Sequence, residues 1–226
     1  MATRREIARV ASALASAFAA AAILLPALSS AAPYQYPLNS TTIRDACLLG
    51  KESNNENTQT LALYSHALPN LTVHANVPVV TVVTPYLQVV ERCAKAPDYN
   101  NQSAAKDFLG KPMTLMVRMD LYFSQALTNA GIDDSGEVRV HASNSAQDLK
   151  IVLSQNGEEV KPQSVRASAI FPPELDGFGI GQPVSIGQHV EIEVAPEGVQ
   201  ASELEIAIRM PDGSAAKTAF DLAKLK

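Results

Sequence analysis

The clearest structural signal in the chain is the segment Met113-Thr114-Leu115-Met116-Val117-Arg118-Met119-Asp120-Leu121-Tyr122-Phe123. Every odd-numbered residue of this segment is apolar, while Thr114, Arg118 and Asp120 stand between them. Successive side chains of a β-strand point to opposite faces of its sheet. The segment therefore predicts a strand with one buried face and one face that is largely in contact with water.

The same alternation recurs downstream of this segment. Further apolar residues at every second position are Val138-Val140, Leu149-Ile151-Leu153, Val165-Ala167-Ala169-Phe171, Val190-Ile192-Val194, Leu204-Ile206-Ile208-Met210 and Phe220-Leu222. Asn156-Gly157 and Asp212-Gly213 lie between such runs and favour tight turns. About seven short strands with these turn signals predict an antiparallel immunoglobulin-like β-sandwich over residues 111–226. The chain contains no Trp, so the usual Cys-Trp-Cys signature is absent and the strand order stays open.

Residues 32–110 show a mainly helical pattern. Ser40 or Thr41 is expected to cap a first helix, which carries Ile43, Ala46, Cys47 and Gly50 at helical spacing. A second helix is predicted over 56–67. The β-branched run over 77–83 indicates a short strand.

The most definite helix prediction in the chain begins at Thr84-Pro85. Thr is a good N-cap, and Pro at the first helical position loses no hydrogen bond there. This helix should run to about Lys95, because Pro97 stops it. The expected fold class is α+β, with the helical part preceding the sandwich.

The first 31 residues have the features of a signal peptide rather than of folded structure. Three arginines, Arg4, Arg5 and Arg9, precede an uncharged, Ala-rich run over 10–28, and Ser29-Ser30-Ala31 supplies the small residues of a cleavage site. We expect cleavage after Ala31 and a periplasmic or secreted protein; an uncleaved anchor is the competing interpretation. The Arg4-Arg5 pair is similar to a twin-arginine signal, although an ordinary secretory signal can also contain two adjacent arginines.

Charge and composition exclude some classes of protein. The chain has 18 basic and 23 acidic side chains, a formal net charge of −5, which argues against a nucleic-acid binder. Aromatic residues make up 5% of the chain, too few to favour an aromatic-lined carbohydrate or cofactor groove. With the signal peptide removed, the mature protein is mildly acidic and has no stable membrane span.

Cys47 and Cys93 are the only two cysteines. Because disulfides persist in exported proteins, we predict a bridge between them that steadies the helical part. Two buried free thiols, or one reactive thiol, are the alternatives.

No motif of catalysis or cofactor binding is present. The four histidines, His66, His74, His141 and His189, show no metal-ligand spacing. The alternating glycines over 176–181 do not match a dinucleotide fingerprint and are interpreted as an interstrand loop. We therefore assign no catalytic residue, no cofactor and no metal.

Two stretches resemble a family of uncharacterised exported bacterial proteins. They are Thr42-Ile43-Arg44-Asp45-Ala46-Cys47-Leu48-Leu49-Gly50 and Thr84-Pro85-Tyr86-Leu87-Gln88-Val89-Val90-Glu91-Arg92. The resemblance covers about residues 40–125 and implies export but no known activity. Within these stretches, Arg44 and Asp45 on one helix could pair with Glu91 and Arg92 on the other.

Two functions fit the sequence. The first is a non-enzymatic interaction or structural protein of the bacterial envelope, which presents loops or an edge strand to an envelope protein or surface polymer. The second is a hydrolase of unfamiliar type, with a cleft between the helical part and the sandwich and with Asp120 or Glu91 as candidate acids. The oligomeric state stays open.

Four glutamates of two neighbouring strand segments support the first function. Glu191, Glu193, Glu203 and Glu205 would lie on one face if these strands pair, because strands adjacent in sequence often do. Such a face would need Arg209, Lys217 or an outside cation nearby. It would either keep the surface soluble or dock a basic partner or divalent cations.

Overall fold

The computed structural model describes residues 36–52, 55–68, 75–123, 127–142, 149–171, 185–210 and 213–226. The predicted signal peptide and the glycine stretch over 176–181 lie outside these residues. All of the described residues belong to one compact unit, Ala32–Lys226.

Four α-helices lie within the described ranges, and they precede most of the strands. They are α1 (Ser40–Lys51), α2 (Asn55–Ala62), α3 (Pro85–Lys95) and α4 (Asn101–Phe108). The predicted helix from Thr84-Pro85 to Lys95 is confirmed, and the Thr84 hydroxyl accepts a hydrogen bond from the backbone N–H of Leu87 at 3.2 Å. α1 is capped by Asn39 rather than by Ser40 or Thr41, and the Asn39 carboxamide accepts from the Thr42 N–H at 2.9 Å.

Two helix predictions need correction. The second predicted helix was expected to reach residue 67, but α2 ends at Ala62 and residues 65–67 form a strand. Pairing with a later strand overrides the local helical pattern there, since Ser65–Ala67 lie opposite Thr81–Val79. α4 was not predicted, although Asn100 is a regular N-cap and accepts from the backbone N–H groups of Gln102 and Ser103.

The described residues also form twelve strands. In chain order they are β1 (Ser65–Ala67), β2 (Ala75–Asn76), β3 (Val79–Val83), β4 (Leu115–Phe123), β5 (Leu127–Ile132), β6 (Val138–Ala142), β7 (Leu149–Gln155), β8 (Glu158–Glu159), β9 (Ser164–Ile170), β10 (Gly187–Val194), β11 (Glu203–Arg209) and β12 (Ala215–Asp221). The Asn156-Gly157 turn is confirmed: both residues have positive φ, 52° and 81°, and they join β7 to β8.

The strands form two antiparallel sheets. In sheet I the order is β1-β3-β4-β10-β9, with β2 beside β4; in sheet II it is β12-β11-β7-β6-β5, with β8 beside β7. The fold is therefore mixed α+β with mostly strands, as the sequence predicted in outline. β3 lies before residue 110, where the predicted helical region ends, and β4 lies after it. The two strands are nevertheless hydrogen-bonded neighbours in one sheet. The predicted three-part division of the chain stays a prediction.

Alternate residues of both sheets share one hydrophobic core. On β4, Leu115, Val117, Met119 and Leu121 are buried, as the alternation predicted. The inward residues of β7, β10 and β11 belong to the same cluster. β9 is an exception, because it lies at the edge of sheet I: the alternate residues Ala167 and Ala169 are exposed, and Phe171 is 51% exposed.

The helical part is fastened to itself by the predicted disulfide. Cys47 of α1 and Cys93 of α3 are bonded, with their Cα atoms 5.2 Å apart, so this prediction is confirmed. α1 approaches α3 so closely that a Cβ at Gly50 would lie 2.3 Å from the Val90 carbonyl oxygen. Any larger residue at position 50 would push the two helices apart.

Contacts between distant parts of the chain connect the helices and sheet I to sheet II. The His66 ring of β1 stacks on Phe220 of β12 at a centroid distance of 4.1 Å. The Thr84 hydroxyl donates to the Lys226 carbonyl at 2.5 Å, and the Tyr64 hydroxyl accepts from the Lys226 N–H at 3.1 Å. Burial of the Tyr64 phenol raises its pKa despite these hydrogen bonds.

Two observations concern membrane crossing and the redox environment. Among the described residues, no helix has the length and apolar character needed to cross a membrane. The Cys47–Cys93 disulfide fits a protein that lies outside the reducing cytoplasm.

Candidate functional site

The outer face of sheet I carries a polar row that crosses five strands. The pairing register places Ser65, Thr81, Arg118, Glu191 and Arg166 next to one another, on β1, β3, β4, β10 and β9 respectively. These positions alternate with the buried ones of the same strands, which is why their side chains point away from the core. The row centres on Arg118.

Arg118 is held by two carboxylates from different elements. Its Nε donates to Glu191 Oε1 on β10 at 2.8 Å, and its Nη1 donates to both oxygens of Glu91 on α3, at 2.7 and 2.9 Å. Burial lowers the pKa of this guanidinium, but the hydrogen bonds and charges of Glu91 and Glu191 outweigh burial, and the net pKa lies above its ordinary value. Arg118 is therefore a permanent cation that ties α3 to sheet I.

His189 and Asp120 form a second pair on the same face, two residues along the strands from Glu191 and Arg118. They lie directly opposite each other on β10 and β4, and His189 Nδ1 is 2.7 Å from Asp120 Oδ1. The other ring nitrogen, Nε2, is 3.7 Å from Glu191 Oε1. The imidazole is thus oriented by Asp120 and placed beside a carboxylate that Arg118 already binds.

An open depression of about 280 Å³ connects these groups. Its ionisable lining consists of Glu91, Arg118, Asp120 and His189, and Val79 is among its remaining lining residues. The His189 side chain is 40% exposed, so a molecule in the depression could reach the imidazole. The depression lies between α3 and sheet I, close to where the sequence placed a cleft between the helical part and the sandwich.

The His189–Asp120 pair can be compared with a catalytic triad. An imidazole oriented by a carboxylate is one part of a nucleophilic triad. Ser168 lies opposite His189 on β9, but no hydrogen bond joins the two side chains in the described structure. Among the described residues, no hydroxyl or thiol is hydrogen-bonded to His189.

The structure brings the two candidate acids of the sequence to one place. Asp120 and Glu91 both line the depression, yet Asp120 contacts His189 while Glu91 contacts Arg118. Sequence reasoning did not identify Arg118 as the central residue and assigned no role to His189. The sequence contained one signal for Arg118, because it is a cation on the polar side of a strongly alternating strand. Its partners could not be recognised, since they lie 27 and 73 positions away in the sequence.

The predicted grouping of four glutamates is wrong. Glu191 and Glu193 lie on β10 in sheet I, whereas Glu203 and Glu205 lie on β11 in sheet II, because the chain crosses from one sheet to the other between these strands. Glu193 pairs with Arg166 at 2.7 Å, and Glu205 pairs with Lys217 at 2.8 Å. No common acidic face forms from these four side chains.

The predicted ion pairs between the first and third helices are also not observed. Arg44 and Asp45 contact each other at 3.5 Å on the exposed side of α1. Glu91 turns to Arg118, and Arg92 lies 5.2 Å above the Tyr99 ring. α1 and α3 are joined by the disulfide and by apolar packing.

Within the described ranges, no group of three or more His, Cys, Asp or Glu side chains is arranged to hold a metal ion. The resemblance of residues 40–125 to exported bacterial proteins stays a prediction. In comparisons with known proteins, no protein-family model, no curated protein and no solved structure matches this chain.

Proposed function

We propose that this chain is an exported, non-enzymatic interaction protein of the bacterial envelope, which binds its partner through the outer face of sheet I. The observation that carries the proposal is that Arg118 is held by both Glu91 and Glu191 at the floor of an open depression. Charged groups fixed in this way form a pre-organised surface, which favours selective binding of a partner with complementary charge.

The state of the charged groups favours binding over catalysis. A catalytic site keeps donors or acceptors available for the charge that develops in the transition state. Here three hydrogen bonds to carboxylates occupy Arg118 Nε and Nη1. The surface offers a fixed pattern of charge to a partner.

A hydrolase is the second candidate, and the Asp120–His189 pair favours it. This imidazole is oriented as a general base requires, at the edge of a depression that admits a small molecule. Such an enzyme would activate a water molecule on His189 Nε2.

A paired experiment separates these two functions. The tagged protein and its Asp120→Asn and His189→Gln variants are used for affinity capture from native envelope extract, and the same proteins are tested on ester and glycoside model substrates. The binding proposal expects partner recovery to fall in both variants, with no hydrolysis by any protein. Glu205→Gln on sheet II is the control.

Full partner recovery by both variants would contradict the binding proposal. Turnover that disappears in Asp120→Asn and His189→Gln would establish the hydrolase instead.

Export is part of the proposal and has its own test. It is supported by the arginine-led apolar segment that ends at Ala31 and by the Cys47–Cys93 disulfide. We expect the native protein to begin at Ala32, which N-terminal sequencing and intact mass decide. Export that is unchanged when Arg4 and Arg5 are replaced by Lys would exclude the twin-arginine route.

We also propose that the two sheets form a sandwich of immunoglobulin-like type. Two features support this: both sheets are antiparallel, and their inward residues belong to one core. The chain passes between the sheets after β4, after β8 and after β10, as Greek-key connections do. An experimental structure with a different strand order in either sheet would overturn this assignment.

A further inference from the structure

The outer face of sheet II also carries a row across five strands, and its centre is entirely cationic. The register places Gly131, Arg139, Lys150, Arg209 and Ala215 side by side, on β5, β6, β7, β11 and β12. Three cations on three adjacent strands are therefore direct cross-strand neighbours. Like charges directly opposite each other destabilise an antiparallel pair.

The protein neutralises only part of this row, which we call the cationic row. Arg139 contacts Asp133, and Lys150 contacts Glu137 at 2.8 Å. Arg209 is exposed, and no carboxylate among the described residues lies within ion-pair distance of it. Within the described part of the chain, Arg209 is therefore the cation of the row that has no carboxylate partner, and it lies beside Lys150.

The row already binds two carboxylates of the protein itself. Both acids that neutralise it are carboxylates, and they reach Arg139 and Lys150 from the hairpin that joins β5 to β6. A further carboxylate placed between Lys150 and Arg209 would continue the same pattern of contacts. Guanidinium groups bind carboxylates bidentately, which suits Arg209 to this role.

The ends of the row leave space for a long ligand. Gly131 and Ala215 flank the three cations in the register, and neither of these two residues carries a long side chain. Neighbouring strands lie about 4.8 Å apart, and the three cations therefore span about 10 Å. A linear polymer with closely spaced carboxylates can lie across the strands and contact more than one cation.

We propose that the cationic row binds a carboxylate-bearing polysaccharide of the cell surface. The proposal rests on the proposed function as an exported interaction protein and names a partner class for a second face of it. Recognition is by charge rather than by aromatic stacking, in keeping with a chain that contains no Trp. Because the protein as a whole is acidic, the attraction is local and depends strongly on salt.

The test uses polygalacturonate as the probe and the purified exported protein. Binding is measured by calorimetry at low salt and again at high salt. We expect binding at low salt that disappears at high salt, since the Debye length falls from ~10 Å at 0.1 M to ~3 Å at 1 M.

Three variants locate the binding. Lys150→Gln should weaken binding about tenfold, the effect of losing one charge-assisted contact. Arg209→Glu should abolish it, because the new carboxylate would occupy the position of the ligand. Lys106→Gln makes the same change in charge as Lys150→Gln, but Lys106 lies on α4, outside sheet II. This variant should bind the probe within about twofold of the wild type.

The charge reversal also controls for misfolding. Arg209→Glu places opposite charges on facing strands, so its melting temperature should not fall below that of the wild type. No binding by the wild type at low salt, or equal binding by Arg209→Glu, overturns the proposal.

Two further probes test the identity of the ligand. Polyglutamate bound more tightly than polygalacturonate would make the partner an acidic protein segment, and polyphosphate bound more tightly would make it a phosphate polymer. Either result overturns the polysaccharide assignment. The variants on sheet I are different residues, so failure of this test and failure of the capture experiment are distinguishable.

Discussion

The outer faces of the two sheets use charge in opposite ways. On sheet I, the row alternates in sign from Arg118 to Glu191 to Arg166, while on sheet II it repeats one sign through Arg139, Lys150 and Arg209. The alternating row satisfies its charges across strands, and it also recruits Glu91 from α3. The repeating row depends on acids from a hairpin and leaves Arg209 exposed. Cross-strand register therefore distinguishes a face whose central cation is paired with two carboxylates from a face on which Arg209 has no carboxylate partner among the described residues.

The largest expected effect is the loss of stability when the Cys47–Cys93 disulfide, which joins the helices beside sheet I, is removed. Changing Cys47 and Cys93 together to Ser should lower the free energy of unfolding by about 4 kcal/mol, because the bridge closes a loop of 46 residues. Glu91 lies on the same helix as Cys93, so hydrogen exchange should rise in α1, α3 and β3 more than in sheet II.

The control for this double variant is the wild type in reducing buffer after unfolding and refolding. It should show the same pattern of exchange. Equal loosening of both sheets would contradict the view that the bridge supports sheet I selectively.

The second effect concerns the centre of the alternating row. Arg118→Met should lower the stability by about 2 kcal/mol, because it leaves Glu91 and Glu191 without their shared cation. Its side chain is 24% exposed, whereas that of Arg166 is 69% exposed. Arg166→Met should therefore cost less than about 0.5 kcal/mol. Chemical denaturation of both variants measures the difference, and equal losses would refute the central role of Arg118.

The third prediction is that a charge reversal changes the stability of the two sheets in opposite directions. Arg209→Glu should stabilise sheet II by about 0.5 kcal/mol, because it removes a like-charge neighbour of Lys150. Arg166→Glu should destabilise sheet I by a similar amount, since Glu191 lies directly opposite position 166. The two melting temperatures should move in opposite directions at low salt and converge at high salt. A shift of the same sign in both variants would remove the proposed contrast.

The smallest effect is on the pH dependence of the β5–β6 hairpin. Hydrogen bonds from Ser135 and then from Arg139 hold the pKa of Asp133 below its usual range. Because the folded-state pKa is depressed, the stabilising contribution is present above the ordinary value of about 3.9 and is lost as the pH falls through the folded value. Asp133→Asn should therefore be less stable than the wild type near pH 6, and the two should approach each other in strong acid. A constant difference at all pH values would show that ionisation of Asp133 is not involved.

Local patterns predicted the elements of this fold well. Thr84-Pro85 predicted the start of α3 because the cap and the first-turn proline act within a few residues. The alternation over 113–123 predicted β4 and its buried face, because the signal lies in the strand itself. The disulfide followed from the count of two cysteines and the expected compartment.

Pairings between distant segments could not be predicted in this way. Residues 65–67 have a helical pattern but pair with β3, and β10 and β11 are adjacent in sequence but belong to different sheets. The candidate site also depends on pairing between distant segments. Asp120 and Glu91 were named as acids, while the role of Arg118 depends on strand and helix neighbours that no local pattern specifies.

The contact between the cap of α3 and Lys226 has a consequence for the order of folding. The Thr84 hydroxyl that caps the helix also donates to a carbonyl 142 positions later. Tyr64 contacts the same residue across 162 positions. Contacts of such sequence separation form slowly, because the loop entropy must be overcome first. We therefore expect the β5–β6 and β7–β8 hairpins to form early, and the helical layer to reach its final packing only after sheet II has brought Lys226 into place.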